Sequence, residues 1–228
     1  MDHSISLQYK NILVRPLSHK DIEYMRIWRN DVRNTKYLRK LPFITGEKQE
    51  SWFESYLRDV SELGFAIEET QDLNRIVGSA FIYNISDTQL EFGKILIGDN
   101  EAHGKGIGIS CTIAITYLAF KRYAINSVIL HCYRDNLAAL KVYKKVGFEI
   151  TNEYENDGKV EYTMMLTRDR FFQLHDEFLH INGEDSVSTI EQVKLIEFPH
   201  YGDERGHLVI IEGEKNIPFA VKRVFYIY

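Results

Sequence analysis

The sequence predicts an α/β chain of the α+β kind: a mixed, mostly antiparallel central sheet flanked by helices, followed by a short β-rich segment. Three observations point there. Runs of period 2 and runs of period 3.6 alternate from Ile5 to Leu166. One apolar run, Leu90–Ile97, leads through a polar turn into the glycine-rich loop His103-Gly104-Lys105-Gly106-Ile107-Gly108, which opens a helix. Beyond a linker at Asn182–Ser186 the chain reads as strands again.

In chain order, Ile5–Leu17 alternates loosely and predicts a first strand, closed by Pro16. Ser18 caps a helix, with Asp21 completing a rough capping box. That helix carries Ile22, Met25, Ile27 and Trp28 and ends near Asn30. Basic residues gather next, Arg33, Lys36, Arg39 and Lys40, in an irregular stretch ending at Pro42. Glu47–Val60 has Trp52, Phe53, Tyr56 and Leu57 at helical spacing and predicts a second amphipathic helix. Gly64–Glu68 and Ile76–Ile85 read as antiparallel strands joined by the turn-forming Glu69–Asn74. After the glycine loop the helix runs through Ile109, Ile113, Ile115, Leu118 and Phe120, and Ser127–Cys132 is a strand. Asp135 caps the next helix and Gly147 ends it. Phe148–Tyr154 and Val160–Leu166 form a hairpin around Asn156-Asp157-Gly158, and Arg168–His180 is helix-like.

With 228 residues, 44% of them hydrophobic and 27% charged, the chain can bury a sizeable core as one large domain or one domain with an appendage. The formal net charge of −5 argues against a nucleic-acid partner. Cys111 and Cys132 lie in apolar segments and are expected as reduced core residues. No apolar run marks a secretory signal at the N-terminus, and the longest uncharged run, Gly106–Phe120, falls short of the ~20 residues of a membrane span. A cytoplasmic protein without a membrane partner is expected.

A strand feeding a glycine loop at a helix start is a device for binding phosphate. Glycine lets the backbone approach the anion, and the first helical amides are unpaired donors at the positive end of the dipole. Two common forms do not match: no Lys-Ser or Lys-Thr completes GxxxxGK(S/T), and Gly106-Ile107-Gly108 lacks the third glycine of GxGxxG. Taken alone, the loop also reads as a flexible strand–helix turn. The downstream stretch Arg134-Asp135-Asn136-Leu137-Ala138-Ala139-Leu140-Lys141-Val142-Tyr143-Lys144-Lys145-Val146-Gly147-Phe148-Glu149 resembles the second signature of the GNAT acetyl-CoA-dependent N-acetyltransferases. The glycine loop resembles the first, with His103 where the family has Arg or Gln. Trp28-Arg29-Asn30 recurs in the branch that acts on ribosomal proteins and amino-sugar nucleotides. With Glu91-Phe92-Gly93 and Ala139–Tyr143 it resembles the acetyltransferase of pseudaminic acid synthesis.

The resemblance implies the GNAT fold over residues 1–167 and acetyl-CoA as co-substrate, with no metal. It assigns the pyrophosphate to the loop His103, Gly104, Lys105, Gly106, Ile107, Gly108 and Ile109, chiefly through backbone amides, and the pantetheine arm and acetyl oxygen to the backbone of Leu96 and Ile97. Asn136 and Tyr143 are seven residues apart and share a helix face. Asn136 is placed to bond the pantetheine arm. Tyr143 is placed to give its proton to the departing thiolate. Glu91 shares a strand face with Gly93, Ile95 and Ile97 and is the candidate base, acting through water. Trp28, Arg29, Asn30 and Lys36 lie where the family forms its acceptor side.

The tail, with Val193–Pro199, Asp203–Glu212 and Ile217–Tyr228, resembles the opening strands of cupin-type dTDP-sugar 3,4-ketoisomerases. Residues 168–186 are expected as helix and linker, and 187–228 as a partial cupin-like fragment. A cupin barrel needs more strands than these, so the fragment is not expected to isomerise sugars. Its apolar runs, Leu208–Ile211 and Val224–Ile227, suit an arm that pairs with the rest of the chain or joins a homodimer. Three functions stay open: acetylation of a nucleotide-linked amino-dideoxy sugar (dTDP or UDP), acetylation of a protein N-terminus, and a non-catalytic scaffold, against which Asn136 and Tyr143 argue.

Overall fold

Lys10 and Asn11 fold the first predicted strand back on itself. Ile5–Leu17 holds two strands, β1 (Leu7–Tyr9) and β2 (Ile12–Pro16), paired antiparallel, and Lys10 turns between them with φ 51°. The loose alternation runs through both arms, so the pattern did not mark the turn. In this computed structural model the described residues are 5–38, 41–156, 158–178, 200–203 and 206–209. The chain divides into two compact units, Met1–Leu179 and His180–Tyr228.

In the first unit a short 3-10 turn, His19–Asp21, leads into α1 (Ile22–Asn30). The Asp21 carboxylate accepts from the Ser18 amide and hydroxyl, at 2.7 and 2.8 Å, and holds the Arg15 guanidinium with both oxygens. α2 (Gly46–Arg58) starts at Thr45, whose hydroxyl accepts from the Lys48 amide. β3 (Leu63–Glu69) and β4 (Arg75–Tyr83) are joined by a turn in which the Glu69 carboxylate accepts from the amides of Gln71, Asp72 and Leu73. β5 (Gln89–Ile97), α3 (Ile107–Arg122), β6 (Ser127–Tyr133), α4 (Leu137–Val146), β7 (Glu149–Asn156), β8 (Lys159–Thr167) and α5 (Arg168–Leu174) follow. Asn136, not Asp135, caps α4: its side-chain oxygen accepts from the Ala139 amide. Gly147 closes the helix as predicted.

The eight strands form one sheet in the order β1-β2-β3-β4-β5-β6-β8-β7. Every pairing is antiparallel except β5 with β6. That parallel ladder covers only Gln89–Ser127, Leu90–Val128 and Glu91–Ile129. Past it the strands part: β5 stays with β4, through a bulge where Lys94 takes φ 50°, and β6 stays with β8. The sheet is therefore split from Phe92 onward, and backbone groups face the gap.

The two sides of the sheet differ. Leu90, Phe92, Val128, Leu130, Met164 and Leu166 bury against α3, which is apolar nearly all round, and Leu140 and Val146 of α4 join the same core. Each such side chain contributes about 1.5–3 kcal/mol relative to exposure. Phe171 of α5 and Phe178 belong to this core, Phe178 stacking on Tyr117 at 4.3 Å. On the other side Leu17, Met25, Trp28, Phe53 and Tyr56 cover Ala66, Phe81 and Leu96, and that cluster takes no residue from β6, β7 or β8. Cys111 and Cys132 are buried free thiols.

In the second unit β9 (His200–Asp203) pairs antiparallel with β10 (Gly206–Val209). The run predicted from Asp203 thus begins at Gly206, and Asp203 ends the preceding arm. Strands expected at Val193–Pro199 and Ile217–Tyr228 lie outside the described residues, as do Arg39 and Lys40. Among the described residues no helix is long and apolar enough to cross a membrane.

Candidate active site

The glycine loop stands at the start of α3. Gly106 is its N-cap in the left-handed region, φ 77°, and Gly104 has φ 79°. A Cβ at either would meet nothing within 4 Å, so glycine is required by the backbone angle and the loop faces open space. The Lys105 amide donates to Ala102 and the Ile109 amide to Gly106. Among the described residues the amides of Gly106, Ile107 and Gly108 donate to no protein acceptor. Three free amides on a helix N-terminus fit a phosphate. They belong to the predicted set, of which the amides of His103, Lys105 and Ile109 are already engaged. The Lys105 ammonium pairs with Asp72.

His103 takes a different place from the one its motif position suggests. Its Nε2 lies 2.9 Å from the Ile97 carbonyl. A carbonyl only accepts, so the ring donates there and ties the loop to the end of β5. One lone pair of Ile97 is thereby taken. The Leu96 side chain is buried in the cluster under α1.

Tyr143 is buried in α4, with its ring edge-on to Phe148 at 6.1 Å. Its hydroxyl has no hydrogen-bond partner among the described residues. Burial, with Cys132 and Cys111 as near neighbours, holds the phenol well above its ordinary value. The group is therefore protonated at neutral pH and available as a donor. Asn136, capping the same helix, keeps its side-chain NH2 for another acceptor.

Glu91 lies on the opposite side of the sheet from the apolar core. Its Oε1 accepts from the Tyr83 hydroxyl at 2.6 Å and its Oε2 from Asn84 Nδ2 at 2.9 Å. Burial and the Glu91 charge push the Tyr83 phenol well up, and the Tyr143 phenol adds to the shift. Tyr83 is thus bonded to one predicted catalytic side chain and feels the other electrostatically. Gly93 leaves room for it: a Cβ there would stand 2.5 Å from the Tyr83 hydroxyl. Tyr83 shares the strand face of Glu91 through the pairing of Tyr83 with Glu91, a signal available only once the register is known.

A cavity of about 630 Å³ opens between α1, α2 and the uncovered part of the sheet. Arg29, Trp52, Phe81, Lys94, Tyr133 and Glu161 line it, with Lys48 at the wall. Lys94 pairs with Glu62 and lies over the Phe81 and Tyr83 rings. Burial pulls the Arg29 guanidinium below its ordinary value. Of the four predicted acceptor residues, only Arg29 lines this cavity. Trp28 is core, packed against Gly98. Asn30 is spent on the backbone: its side chain donates to the Ile44 carbonyl at 2.8 Å and accepts from the Ile44 amide at 2.9 Å. It fixes the strap that walls the cavity. Lys36 is exposed over the Tyr37 ring, whose hydroxyl donates to the Asp135 carbonyl. Lys48 was not singled out in the sequence, and Trp52 entered only among the aromatics at helical spacing, because that spacing does not reveal an unfilled space beside the helix.

The sequence profile described as an acetyltransferase (GNAT) domain matches residues 11–149. A second, described as WxcM-like, C-terminal, matches residues 191–228. Acetyltransferase PseH of Campylobacter jejuni is 26% identical over 137 residues, covering 60% of this chain and 82% of that protein. An N-acetyltransferase 9-like protein of Caenorhabditis briggsae is 30% identical over 150 residues, covering 61% and 71%. A TDP-4-oxo-6-deoxy-alpha-D-glucose-3,4-oxoisomerase of Aneurinibacillus thermoaerophilus is 57% identical over 35 residues, and the chain spans 25% of that relative's length. The spermidine N-acetyltransferase of Vibrio cholerae, solved with CoA and spermine, superposes with a TM-score of 0.63 at 18% identity, covering 71% of this chain and 98% of that one, a likeness of fold.

Proposed function

The chain belongs to the GNAT acetyltransferase family, and from that premise we propose that its acceptor is the amine of an amino-dideoxy sugar linked to a nucleoside diphosphate, dTDP or UDP. The reaction is acetyl transfer from acetyl-CoA. The observation that carries the sugar reading is the presence, on one polypeptide, of this domain and a segment 57% identical over 35 residues to an enzyme named for a TDP-linked deoxy sugar. The cavity supports it. Arg29 and Lys48 offer cationic partners for a diphosphate, Trp52 a surface on which a base can stack, and Phe81 and Leu96 apolar contact for deoxygenated carbons.

In this reading the amides of Gly106, Ile107 and Gly108 hold the pyrophosphate of acetyl-CoA, and the split between β5 and β6 receives its pantetheine arm, with Asn136 bonding one of the arm's amides. Glu91, fixed by Tyr83 and Asn84, orients the acceptor ammonium from one side of the sheet. Tyr143 protonates the departing thiolate from the other. Metal ligation has no part in the scheme.

Comparing kcat/KM for dTDP-4-amino-4,6-dideoxyglucose, its 3-amino isomer and UDP analogues with that for N-terminal peptides, by release of free CoA, tests the proposal. Turnover of a nucleotide amino sugar well above that of any peptide is expected. Efficient peptide acetylation with no nucleotide-sugar turnover would overturn it in favour of a protein N-terminal acetyltransferase.

A further inference from the structure

We propose that His131 is the proton acceptor of the transfer, and that its Nε2 and the Glu91 carboxylate together seat the acceptor ammonium. This rests on the reading that the amine reaches the split between β5 and β6. His131 lies two residues past Ile129, the last β6 residue paired with β5, on the face that carries Glu91. Its Nε2 is 4.0 Å from Glu91 Oε1. On the other side of the ring, Nδ1 is 2.9 Å from the Tyr154 hydroxyl and 3.4 Å from Thr163 Oγ1.

Counting protons fixes the tautomer. Tyr154 is also 3.0 Å from Glu161 Oε2, an oxygen that accepts from Asn156 Nδ2 as well. A carboxylate has no proton to give, so Tyr154 donates its single proton to Glu161. Its oxygen then faces His131 as an acceptor, and Nδ1 must carry the ring proton. Nε2 keeps its lone pair, on the edge of the ring next to Glu91. Burial and the Glu161 hydrogen bond push the Tyr154 phenol up to about 12, which keeps it a donor at neutral pH.

A lone pair and a carboxylate oxygen 4.0 Å apart form a pair of acceptors with no donor between them. An alkylammonium, with three N–H donors, satisfies both at once. The other groups facing His131 are Tyr133 on its own strand, with Lys159 over that ring, Thr163 and Glu161 on β8, Tyr154 on β7, and Tyr83 on β4 behind Glu91.

The step balances as follows. The ammonium gives one proton to Nε2, and the freed nitrogen pair forms the C–N bond to the thioester carbonyl carbon. The C–S bond breaks, and Tyr143 gives its proton to the sulfur. The second N–H proton, lost as the amide forms, returns to the Tyr143 phenolate through water, and His131 releases the first to solvent. One proton is released per acetyl transferred. Tyr154 and Glu161 are positioning residues, acting only through His131.

The first test needs no turnover. In the full chain saturated with acetyl-CoA, ¹H–¹⁵N correlation spectra of the imidazoles, with His131 assigned by loss of its signals in H131Q, should show neutral His131 protonated at Nδ1 and bare at Nε2. Tyr154→Phe should abolish that preference. A proton on Nε2 would overturn the proposal. The second test uses the best amine in a panel of nucleotide amino sugars, N-terminal peptides and polyamines, so that a peptide or polyamine preference sinks the sugar reading without touching this one. His131→Gln should lower kcat/KM at least about 10²-fold and remove the acidic limb of its pH profile, with acetyl-CoA affinity unchanged by calorimetry. Tyr154→Phe should shift that limb while retaining part of the rate. An acidic limb unaltered in H131Q would refute the role.

Discussion

The two sides of the central sheet are built by opposite rules. Toward α3 and α4, successive strands present Leu90, Phe92, Val128, Leu130, Met164 and Leu166, all buried and apolar. On the opposite face β4, β5, β6 and β8 present Ser79, Tyr83, Glu91, His131, Glu161 and Thr163, and Ser79 and Glu161 line the cavity. Period-2 alternation makes both faces from one set of strands, so stability and chemistry are separated by a single residue of register. The difference teaches where each kind of substitution should be felt. The division is not electrostatically sealed: Tyr143, packed among the apolar residues, adds to the upward shift of Tyr83, and Glu161 adds to that of buried Cys132.

The largest effect that would break the comparison lies on the packed face. Leu130→Ala should destabilise the fold by about 2–5 kcal/mol, read as a lower urea midpoint, whereas Thr163→Ala on the open face should cost under about 1 kcal/mol. Equal losses would mean that the faces are not specialised. Next in size, Tyr143→Phe should lower kcat about 10²-fold or more, the range of general acid catalysis, with little change in thermal unfolding because no hydrogen bond is lost. A variant with wild-type kcat under conditions where chemistry limits the rate would remove Tyr143 from the reaction. Gly106→Ala should weaken acetyl-CoA binding roughly tenfold in calorimetry, since a side chain in the left-handed region costs about 1–2 kcal/mol and adds a methyl beside the free amides. Unchanged affinity would take the loop out of the site. Smallest of these, Arg29→Ala should raise KM for a nucleotide sugar several-fold at constant acetyl-CoA affinity, and Lys36→Ala should do less, because Lys36 is outside the cavity wall. The reverse order would move the acceptor site to the 31–38 strap.

Much of the packed face was legible before any coordinates. The apolar runs Leu90–Ile97, Ile109–Phe120 and Ser127–Cys132 placed their elements to within a residue or two, since burial on that side follows the local pattern. Gly106 and Tyr143 were singled out by the resemblance of their stretches to the two family signatures. The open face was harder to read. Glu91 was singled out with its strand face, but Tyr83, His131, Tyr154 and Glu161 come from four other strands, and nothing in one strand says which others will flank it. Asn30 looked like an acceptor residue because its motif position is the same whether its side chain faces a substrate or the Ile44 backbone. The Lys10 turn was hidden for the opposite reason: the strands on both sides of it continue one alternation.

The ladder between β5 and β6, and so between the β1–β5 half of the sheet and the β6–β8 half, has three residue pairs, preceded by the Asn126 and Ser127 amides donating to the Thr88 carbonyl; α3 packs against strands of both. Seen as a problem in cooperativity, that short ladder is a seam, with few of the cross-strand bonds that normally make a sheet unfold as one unit. A co-substrate whose arm carries its own amide groups into the gap would add to the bonding across the seam. Acetyl-CoA would then act partly as a structural element, raising the melting temperature through mass action as its concentration rises above Kd. Backbone hydrogen exchange along Phe92–Ile97 and Leu130–Tyr133 would slow with it, more than in β1 or β7 at the rims.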